Sequence, residues 1–338
     1  MFCARRSVLR FVALSAIIFG ALATTTADAQ VALRIGCTNP AGSVVTDPID
    51  RFVDLLAQKT NNQVTAKNFY QAFGVEQRLA QTVMDGTVDI GTMTTASATT
   101  FTSAFFPYEL PFLFRAYDDM LNSLESPVAK RLIAQFEKDT GLKVLAIFGF
   151  GAGRDIQTRT KQLKTPADIA GVKIRTTPSP IEVSAYKAWG ANPTPVDFAQ
   201  TLTALQQGTV EGINLDTPAV LSTKMYEAVK FNTRLSYQMN MFLFFMNADK
   251  FNKLSPAHQA AVLEAAKEVE KWNRQDAPTR VAANVQELTR LGVTTYQPND
   301  AEWAQWAKAK DEIWKAAAEQ QRGKLDLAVA NELAATKR

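Results

Sequence analysis

Histidine and cysteine are scarce in this sequence, and their scarcity excludes several kinds of site. Its 338 residues contain one histidine, His258, and two cysteines, Cys3 and Cys37. A Ser-His-Asp triad would have to use His258, which the preceding Ser255-Pro256 pair places at the solvated start of a helix. Since Cys3 falls in a predicted leader, Cys37 is left alone and no intramolecular disulfide can form. We expect Cys37 to be a buried, inert thiol in the first strand.

Motifs for catalysis and metal binding are also missing. The sequence has no H-E-x-x-H, C-x-x-C, Walker or G-x-S-x-G motif. Its net charge is +4, and it falls to +2 without the predicted leader, which holds three Arg and one Asp. A nucleic-acid partner needs a clustered basic surface, so this balance argues against one. The apolar runs 141–150 and 239–246 are too short to cross a membrane and are predicted as buried strands.

The first 29 residues have the pattern of an export signal. Three arginines between positions 5 and 10 precede an apolar stretch at 11–23, and Ala27-Asp28-Ala29 fits an A-x-A cleavage site. We therefore expect cleavage before Gln30 and a periplasmic location. The adjacent pair Arg5-Arg6 also resembles a twin-arginine signal, so the export route is left open.

Strand and helix patterns alternate after the leader. A strand at 32–36 is followed by a helix beginning at Asp47, a strand at 64–70, a helix at 74–84 and a strand at 88–93. This alternation is typical of the α/β class, with mostly parallel sheets flanked by helices.

The C-terminal part is predicted to be helical. A long helix begins at Ser255-Pro256, breaks at Pro278 and ends near Gly292, and a last helix covers 300–325. Three tryptophans on the last helix have helical spacing, which favours packing over a ligand cage: Trp303, Trp306 and Trp314.

A glycine-rich segment follows the apolar run that ends near Phe148. The letters GFGAGR at 149–154 could suggest a dinucleotide loop, but G-x-G-x-x-G would need glycine where Arg154 stands. Clustered glycines suit a flexible crossover between two lobes better, because glycine tolerates many backbone conformations.

The stretch 163–214 carries the strongest functional signal. Its three predicted helix starts, Thr165-Pro166, Ser179-Pro180 and Asp197-Phe198, each have a capping side chain. A short strand, 172–175, ends in Arg175. Ligands of α/β sheets bind beyond the carboxyl ends of strands, where a guanidinium and helix N-termini favour an anion. An ordinary surface ion pair is the alternative for Arg175.

The same stretch resembles the solute-binding subunits of tripartite ATP-independent periplasmic (TRAP) transporters. The resemblance rests on LKTPADIAGVKIR at 163–175, GANPTPVDF at 190–198 and TALQQGTVEG at 203–212, with LPFLF at 110–114 and GTVDI at 86–90. It implies a two-lobed periplasmic binding protein fold with hinge strands and a long helix. The implied lobes are residues 30–150 with about 240–278, and 151–239 with about 290–338.

The resemblance also implies the site residues. Arg175 would grip the ligand carboxylate, Arg154 would be the second arginine, and Phe198 would pack on the ligand. At 211–216 the chain reads EGINLD where the family usually has DGQENP, so Leu215 replaces a common asparagine. Further polar residues are expected in the cleft by analogy: Tyr237, Asn39, Asn214, Asp216 and Thr95.

The expected function is binding of a small organic acid anion by hinge closure and its delivery to the membrane permease subunits. We predict a monomer without catalytic activity, cofactor, metal or nucleic-acid partner. A secreted hydrolase and a ligand-sensing protein without transport remain alternatives. Glu211 and Asp216 are the carboxylates that such a hydrolase would use as acid and base, or that would bind a metal ion with nearby carbonyl groups.

Overall fold

A computed structural model describes residues 30–336, so the predicted leader and its Cys3 lie outside the described residues. In the part described, no helix combines the length and apolar character that crossing a membrane requires. The strands are β1 (Val31–Cys37), β2 (Val64–Tyr70), β3 (Ile90–Thr94), β4 (Leu142–Gly153), β5 (Ile156–Thr158), β6 (Lys173–Thr176), β7 (Asn192–Pro195), β8 (Gly212–Ile213), β9 (Phe231–Thr233), β10 (Met239–Asn247) and β11 (Thr294–Tyr296). The α-helices are α1 (Thr46–Lys59), α2 (Glu76–Met84), α3 (Thr95–Ala98), α4 (Tyr117–Ser123), α5 (Pro127–Thr140), α6 (Pro180–Ala188), α7 (Thr201–Gln206), α8 (Thr217–Ser222), α9 (Ala248–Asn252), α10 (Pro256–Arg290), α11 (Asp300–Ala307), α12 (Lys310–Gln320) and α13 (Leu327–Ala334). Short 3₁₀ helices cover Phe106–Glu109, Pro166–Ile169, Phe198–Gln200 and Met225–Glu227.

The first sheet has the strand order β2-β1-β3-β10-β4. β1 pairs in parallel with β2 and β3, whereas β10 runs antiparallel to β3 and β4. All nine residues of β10 are buried, which explains the apolar run there, because a strand covered on both faces needs no polar alternation. The Phe244 ring of β10 meets the Phe52 ring of α1 edge-on, with 4.9 Å between centroids.

The second sheet has the order β11-β9-β5-β8-β6-β7, in which β5 is antiparallel to both of its neighbours. The predicted two-lobed α/β architecture is confirmed, but the sheets are mixed rather than mostly parallel. The reversed strands, β5 and β10, are those that enter one sheet directly from the other. A strand that arrives without a crossover helix to turn it round runs against its neighbours.

Two segments pass side by side between the sheets. Arg154 and Asp155 connect β4 to β5, and residues 234–238 connect β9 to β10. The Arg154 N–H donates to the carbonyl of Gln238 at 2.7 Å, and the Tyr237 N–H donates to the carbonyl of Arg154 at 3.2 Å. Arg154 therefore belongs to the connection itself as well as facing the space between the sheets.

The glycine cluster at 149–153 is part of β4, so it is not the predicted flexible crossover. The chain passes to the second sheet just after it, at residues 154 and 155. Gly149 pairs with Met241, and Gly153 pairs with Met239. Close packing explains two of the glycines. A Cβ on Gly149 would overlap the hydroxyl of Tyr117, and a Cβ on Gly151, which has φ +84°, would overlap the carbonyl of Ala277.

Helix α10 runs without a break from Pro256 to Arg290, so the predicted break at Pro278 is wrong. A proline removes one hydrogen bond of the helix, and here the helix tolerates that loss. Its start also corrects the prediction for His258, which is buried rather than solvated, with Nε2 3.2 Å from Oε1 of Gln63. α10 packs against α1 and β4, and it also contacts α8 and β11.

The outer edge of β4 is closed by side chains. The N–H groups of Val144, Ile147 and Gly149 donate to the side chains of Glu137, Glu270 and Asn273, at 3.0, 2.9 and 2.9 Å. These acceptors come from α5 and α10, the helices beside this strand. Three backbone donors that this edge strand would otherwise present are therefore occupied.

The predicted last helix is two helices, α11 and α12, and α13 follows it. Asn299 caps α11 in a capping box with Glu302, and Asp326 caps α13 through the N–H of Ala328. The tryptophans pack, as predicted: Trp306 and Trp314 are buried, and their indole N–H groups donate to the carbonyls of Lys164 and Pro111. α12 packs against α6, and α13 packs against α5.

Candidate ligand-binding site

One cavity lies between the two sheets, and both contribute to its lining. The first sheet supplies residues that follow β1 and residues of β3, whereas the second supplies Arg175 and the segments 197–199 and 215–219. The cavity holds about 670 Å³ of space between atoms, with its open mouth included. Ends of strands and the segments that follow them thus converge on this one space.

Arg175 brings an incompletely compensated positive charge to this cavity. It is 1% exposed, and its Nε donates to the carbonyl of Val196 at 2.7 Å. Its Nη1 has no hydrogen-bond partner within residues 30–336. Burial lowers the pKa of Arg175 to about 10, an effect that Glu182 opposes and Arg154 reinforces. A guanidinium in this state favours an anion, and its planar fork matches a carboxylate.

Arg154 is equally buried but already has an anionic partner. Its Nη1 lies 3.2 Å from Oε1 of Glu182 and donates to the carbonyl of Asn214 at 3.1 Å. Burial alone lowers the pKa of Arg154, but Glu182 and other nearby groups together raise it above its ordinary value. Its Nε has no partner among the described residues. Most of the Arg154 charge is therefore neutralised inside the protein, and one N–H group is left over.

Glu182 occupies the start of α6, where the sequence predicted a place for an external anion. Ser179 caps this helix, and Oε2 of Glu182 accepts the N–H of Thr177 at 2.8 Å and the Nδ2 of Asn214 at 2.9 Å. A carboxylate in the first turn suits the positive end of a helix. The predicted anion position at this helix is thus filled by the protein's own side chain.

Buried hydroxyl groups face the cavity from the first sheet. Thr38 and Thr92 are both buried, and the Oγ1 atoms of both have no hydrogen-bond partner in the described part of the chain. Asn39 lines the cavity beside them, and its N–H lies 3.4 Å from the Sγ of Cys37. Cys37 itself is buried as predicted, and burial raises the pKa of its thiol to about 12. This wall can donate and accept hydrogen bonds.

Phe198 lines the cavity as half-buried apolar surface at the start of a 3₁₀ helix. Asp197 before it makes no side-chain capping bond, so the predicted cap at this position is wrong, and its carboxylate is left beside the cavity. Phe150 and Phe242 also line the cavity, with 5.5 Å between ring centroids. Apolar and polar walls together suit a ligand that has both C–H and hydroxyl groups.

Asp216 lines the cavity at the start of α8. Its Oδ1 accepts the N–H of Ala219 at 3.0 Å, and its Oδ2 accepts Nδ2 of Asn240 at 3.3 Å. Oδ1 of Asn240 in turn accepts Nη2 of Arg154 at 3.4 Å. Burial raises the pKa of Asp216, although the Ala219 N–H and Arg154 oppose this effect.

Three of the predicted site residues, Tyr237, Asn214 and Thr95, do not belong to the lining described above. Tyr237 and Asn214 lie behind the arginines, where the Tyr237 hydroxyl accepts Nδ2 of Asn214 at 3.3 Å and the hydroxyl of Tyr186 at 3.1 Å. Thr95 is buried at the start of α3, one residue after the lining residue Thr94. Their direct contact with a ligand stays a prediction, and the contacts of Asn214 and Tyr237 with Arg154 indicate that they support this arginine.

Two more buried carboxyl groups lie where the chain crosses between the sheets. Glu109 accepts Nε2 of Gln238 at 2.6 Å, and burial raises its pKa to about 7 although Arg154 opposes this. Asp155 accepts the N–H of Ser236 at 3.0 Å, and burial raises its pKa to about 7 against the effect of Arg234. Burial therefore raises the pKa of two carboxyl groups at this connection towards neutrality.

Comparison with known proteins decides the family. Residues 35–321 match the family model DctP, described as bacterial extracellular solute-binding protein, family 7. The chain belongs to this family.

Several relatives share most of the length of this solute-binding protein. The 2,3-diketo-L-gulonate-binding periplasmic protein of Escherichia coli (strain K12) is 32% identical over 269 residues, which cover 79% of this chain and 81% of the relative. A solute-binding protein of Verminephrobacter eiseniae (strain EF01-2) is 30% identical over 270 residues, 80% of each chain. The crystal structure of a TRAP periplasmic solute-binding protein from Roseobacter denitrificans, with bound β-D-glucuronate, has a TM-score of 0.83 and 26% identity, and covers 91% of this chain and 100% of that chain. The resemblance to TRAP solute-binding subunits is confirmed.

In this family 7 protein, the sequence reasoning missed Glu76, Thr92, Asn240 and Glu182. The first three line the cavity, and Glu182 lies behind Arg154. Glu182 had a local signal, since it stands three residues after Ser179, the spacing of a capping box. Thr92 and Asn240 sit on strands of the first sheet, and no local pattern tells which face of a fully buried strand a polar residue occupies.

The carboxylate-pair alternative finds no support in the geometry of this solute-binding protein. Glu211 accepts the N–H of Lys173 at 3.1 Å and is not part of the cavity lining, whereas Asp216 is. Within residues 30–336 no group of three or more His, Cys, Asp or Glu side chains is placed to hold a metal ion.

Proposed function

We propose that this family 7 solute-binding protein binds one small organic acid through its carboxylate and delivers it to the membrane permease subunits of a TRAP transporter. The observation that carries the proposal is the contrast between the two buried arginines. Glu182 neutralises Arg154, whereas Arg175 has an unpartnered Nη1 at the cavity. An external carboxylate would supply the missing charge and accept the free N–H groups.

The roles of the cavity residues follow from their chemistry. Arg175 holds the carboxylate, and the remaining Nε–H of Arg154 is the second donor. Phe198 supplies an apolar surface for the carbon chain of the ligand. Asn39 and the unpartnered hydroxyl groups of Thr38 and Thr92 would bind hydroxyl or carbonyl groups further along the ligand.

We propose a sugar acid or a related hydroxy acid as the ligand class. The hydroxyl-bearing wall of the first sheet favours a ligand that offers several polar groups in addition to its carboxylate. The relatives support this class: one is named for 2,3-diketo-L-gulonate, and another holds β-D-glucuronate. The departure at Leu215 affects the cavity lining directly, so the individual acid can differ from those of the relatives.

Ligand capture is proposed to proceed by closure of two lobes. The proposed lobes are residues 30–150 with about 240–278, and 151–239 with about 290–338. The crossing segments at 154–155 and 234–238 are the place where the angle between the sheets would change. Since α13 packs against α5 and α12 against α6, the C-terminal helices contact elements on both sides of the proposed division.

We propose that the protein works as a periplasmic monomer, after export and cleavage before Gln30. The family is one of extracellular solute-binding proteins, and the described part shows no membrane-crossing helix. No catalytic step is part of the proposal, so the acid should leave the protein chemically unchanged.

A thermal-shift and calorimetry panel tests the function. Glucuronate, gluconate, erythronate and pantoate would be compared with glucose and glucuronamide, which resemble the first acid but have no carboxylate. At least one acid should raise the melting temperature by mass action, whereas the neutral compounds should not. Equal stabilisation by acids and their neutral counterparts contradicts the proposal, and mass spectrometry showing a converted ligand favours the hydrolase alternative.

A further inference from the structure

The cavity contains too few positive charges to pair with more than one ligand carboxylate. Among the described residues that line it, the cationic side chains are those of Arg154 and Arg175. Arg154 is paired with Glu182 at 3.2 Å, so Arg175 is the one with charge to spare. A ligand with two carboxylates would therefore place one of them without a cationic partner.

The lining also contains carboxylates of its own. Glu76, Asp197 and Asp216 line the same cavity, so three negative side chains face it against two positive ones. Glu182 adds a further negative charge directly behind Arg154. In a buried site with little water, like charges repel more strongly than they do in bulk solvent. The balance admits one carboxylate at Arg175 and opposes a second.

Asp216 is the most buried of the three lining carboxylates. It is 1% exposed, and its oxygens are held in place by the N–H of Ala219 and by Nδ2 of Asn240. A carboxylate oxygen has several acceptor positions, so each can still accept a ligand hydroxyl. The same oxygens have no proton to offer a ligand carboxylate when they are ionised.

We propose that Asp216 is a specificity-determining residue that accepts a hydroxyl group of a hydroxylated monocarboxylate and excludes the corresponding dicarboxylate. This inference rests on the proposed function, because it assumes that one carboxylate is bound at Arg175. The inference concerns the end of the ligand opposite the carboxylate bound at Arg175. An alcohol or aldehyde group is accepted at that end, and a second carboxylate is rejected. Glu76 contributes in the same sense from the other side of the cavity, where it is held by the N–H and hydroxyl of Thr94 at 3.0 and 2.8 Å.

Matched pairs of acids test this inference by titration calorimetry. Gluconate and glucarate differ by oxidation of one terminal CH₂OH to a carboxylate, and erythronate and meso-tartrate form a four-carbon pair that differs in the same way. The natural protein should bind the monocarboxylate of each pair more tightly than the dicarboxylate. For the pair with the tighter-binding monocarboxylate, the ratio of the two affinities should be about tenfold or more, which corresponds to about 1.4 kcal/mol. Asp216→Asn should reduce that ratio by about tenfold, mainly by strengthening dicarboxylate binding.

The variants are chosen so that folding does not obscure the result. Asparagine is as good a helix cap as aspartate, so Asp216→Asn should keep the start of α8. Glu76→Gln is the second variant and should shift the ratio in the same direction. Asp54→Asn makes the same charge change on the exposed surface of α1 and should leave the ratio as it is.

Two results overturn the inference. One is a dicarboxylate that binds the natural protein as tightly as its monocarboxylate partner, and the other is a ratio unchanged in both Asp216→Asn and Glu76→Gln. Failure of every acid to bind is a different outcome, because it overturns the proposed function as well. The two failures are therefore distinguishable in one set of titrations.

Discussion

The carboxylate of Glu182 lies 3.2 Å from the guanidinium of Arg154, and both side chains are buried. This internal pair accounts for the unequal state of the two arginines in the cavity. Arg154 has a fixed anionic partner, whereas burial lowers the pKa of Arg175 to about 10. A bound carboxylate would complete the charge balance at Arg175.

Replacement of Arg175 by alanine should weaken carboxylate binding. Removal of one partner of a buried charge pair typically costs about 2–5 kcal/mol, so the affinity should fall roughly 30-fold or more. Arg175→Lys keeps the charge but loses the planar fork, and its affinity should fall less. Without ligand, the stability of Arg175→Ala should not fall, because the removed charge is poorly compensated. Calorimetry checks these values with Arg322→Ala, an exposed position, as the control. Parent-like affinity in Arg175→Ala means that the carboxylate is held elsewhere.

Replacement of Glu182 by glutamine should destabilise the protein without ligand. The change leaves the Arg154 charge buried and unpaired, and loss of one partner of such a pair costs about 3–5 kcal/mol. A carboxylate ligand would then restore more stability to Glu182→Gln than to the natural protein. Urea unfolding with and without the acid measures both effects. An unfolding free energy unchanged by the substitution contradicts the role given to Glu182.

Stability should decrease as the pH rises through neutrality, and Glu109 should be one cause. Burial raises its pKa from 4.5 to about 7, so the folded protein holds a proton that the unfolded chain releases. The resulting stability is fully present below about pH 4.5 and is lost as the pH rises through about 7.

The glutamine of Glu109→Gln cannot ionise. Between pH 5.5 and 8.5, the decrease in unfolding free energy should therefore be about 1–3 kcal/mol smaller in this variant than in the natural protein. Part of the decrease should remain, because Asp155 also has a pKa of about 7. Glu319→Gln, an exposed carboxylate, is the control. If the unfolding free energy of Glu109→Gln and of the natural protein depends on pH in the same way, ionisation of Glu109 is not a cause of the decrease.

Export should remove residues 1–29. Protein recovered from the periplasm should have an intact mass that begins at Gln30, because Ala27-Asp28-Ala29 fits a signal-peptidase site. A bulky residue at the site, as in Ala29→Leu, should retain the leader. A periplasmic mass that includes Met1 to Ala29 in the natural protein would show the cleavage prediction to be wrong.

Ligand binding should compact the protein in solution. Small-angle scattering at saturating acid should give a smaller radius of gyration than the ligand-free protein, because the sheets close over the cavity. Arg175→Ala at the same acid concentration should resemble the ligand-free state. Superimposable profiles for the natural protein with and without ligand argue against closure.

Much of the fold could be predicted from the sequence, because local patterns indicate it. The apolar run of β10, the Ser126-Pro127 start of α5 and the strand β2 each have a clear periodicity or cap. The direction of β10 has no such signal. It enters its sheet from the other one, and the side-chain pattern of a fully buried strand is the same in parallel and antiparallel pairing.

The candidate site shows the same limit. Arg175, Arg154, Phe198, Asn39 and Asp216 all line the cavity, and the family motifs pointed to the first three. Glu182 neutralises Arg154 across 28 residues of sequence, a relationship that depends on how α6 packs near the β4–β5 connection rather than on spacing.

The occupied edge of β4 has a consequence for the behaviour of the protein at high concentration. An open strand edge invites a second chain to add its own strand, and this is a common route to aggregation. Because Glu137, Glu270 and Asn273 already accept three of its N–H groups, a second molecule cannot use these donors without displacing the side chains. These three side chains should therefore disfavour the pairing of a second molecule's strand with the outer edge of β4.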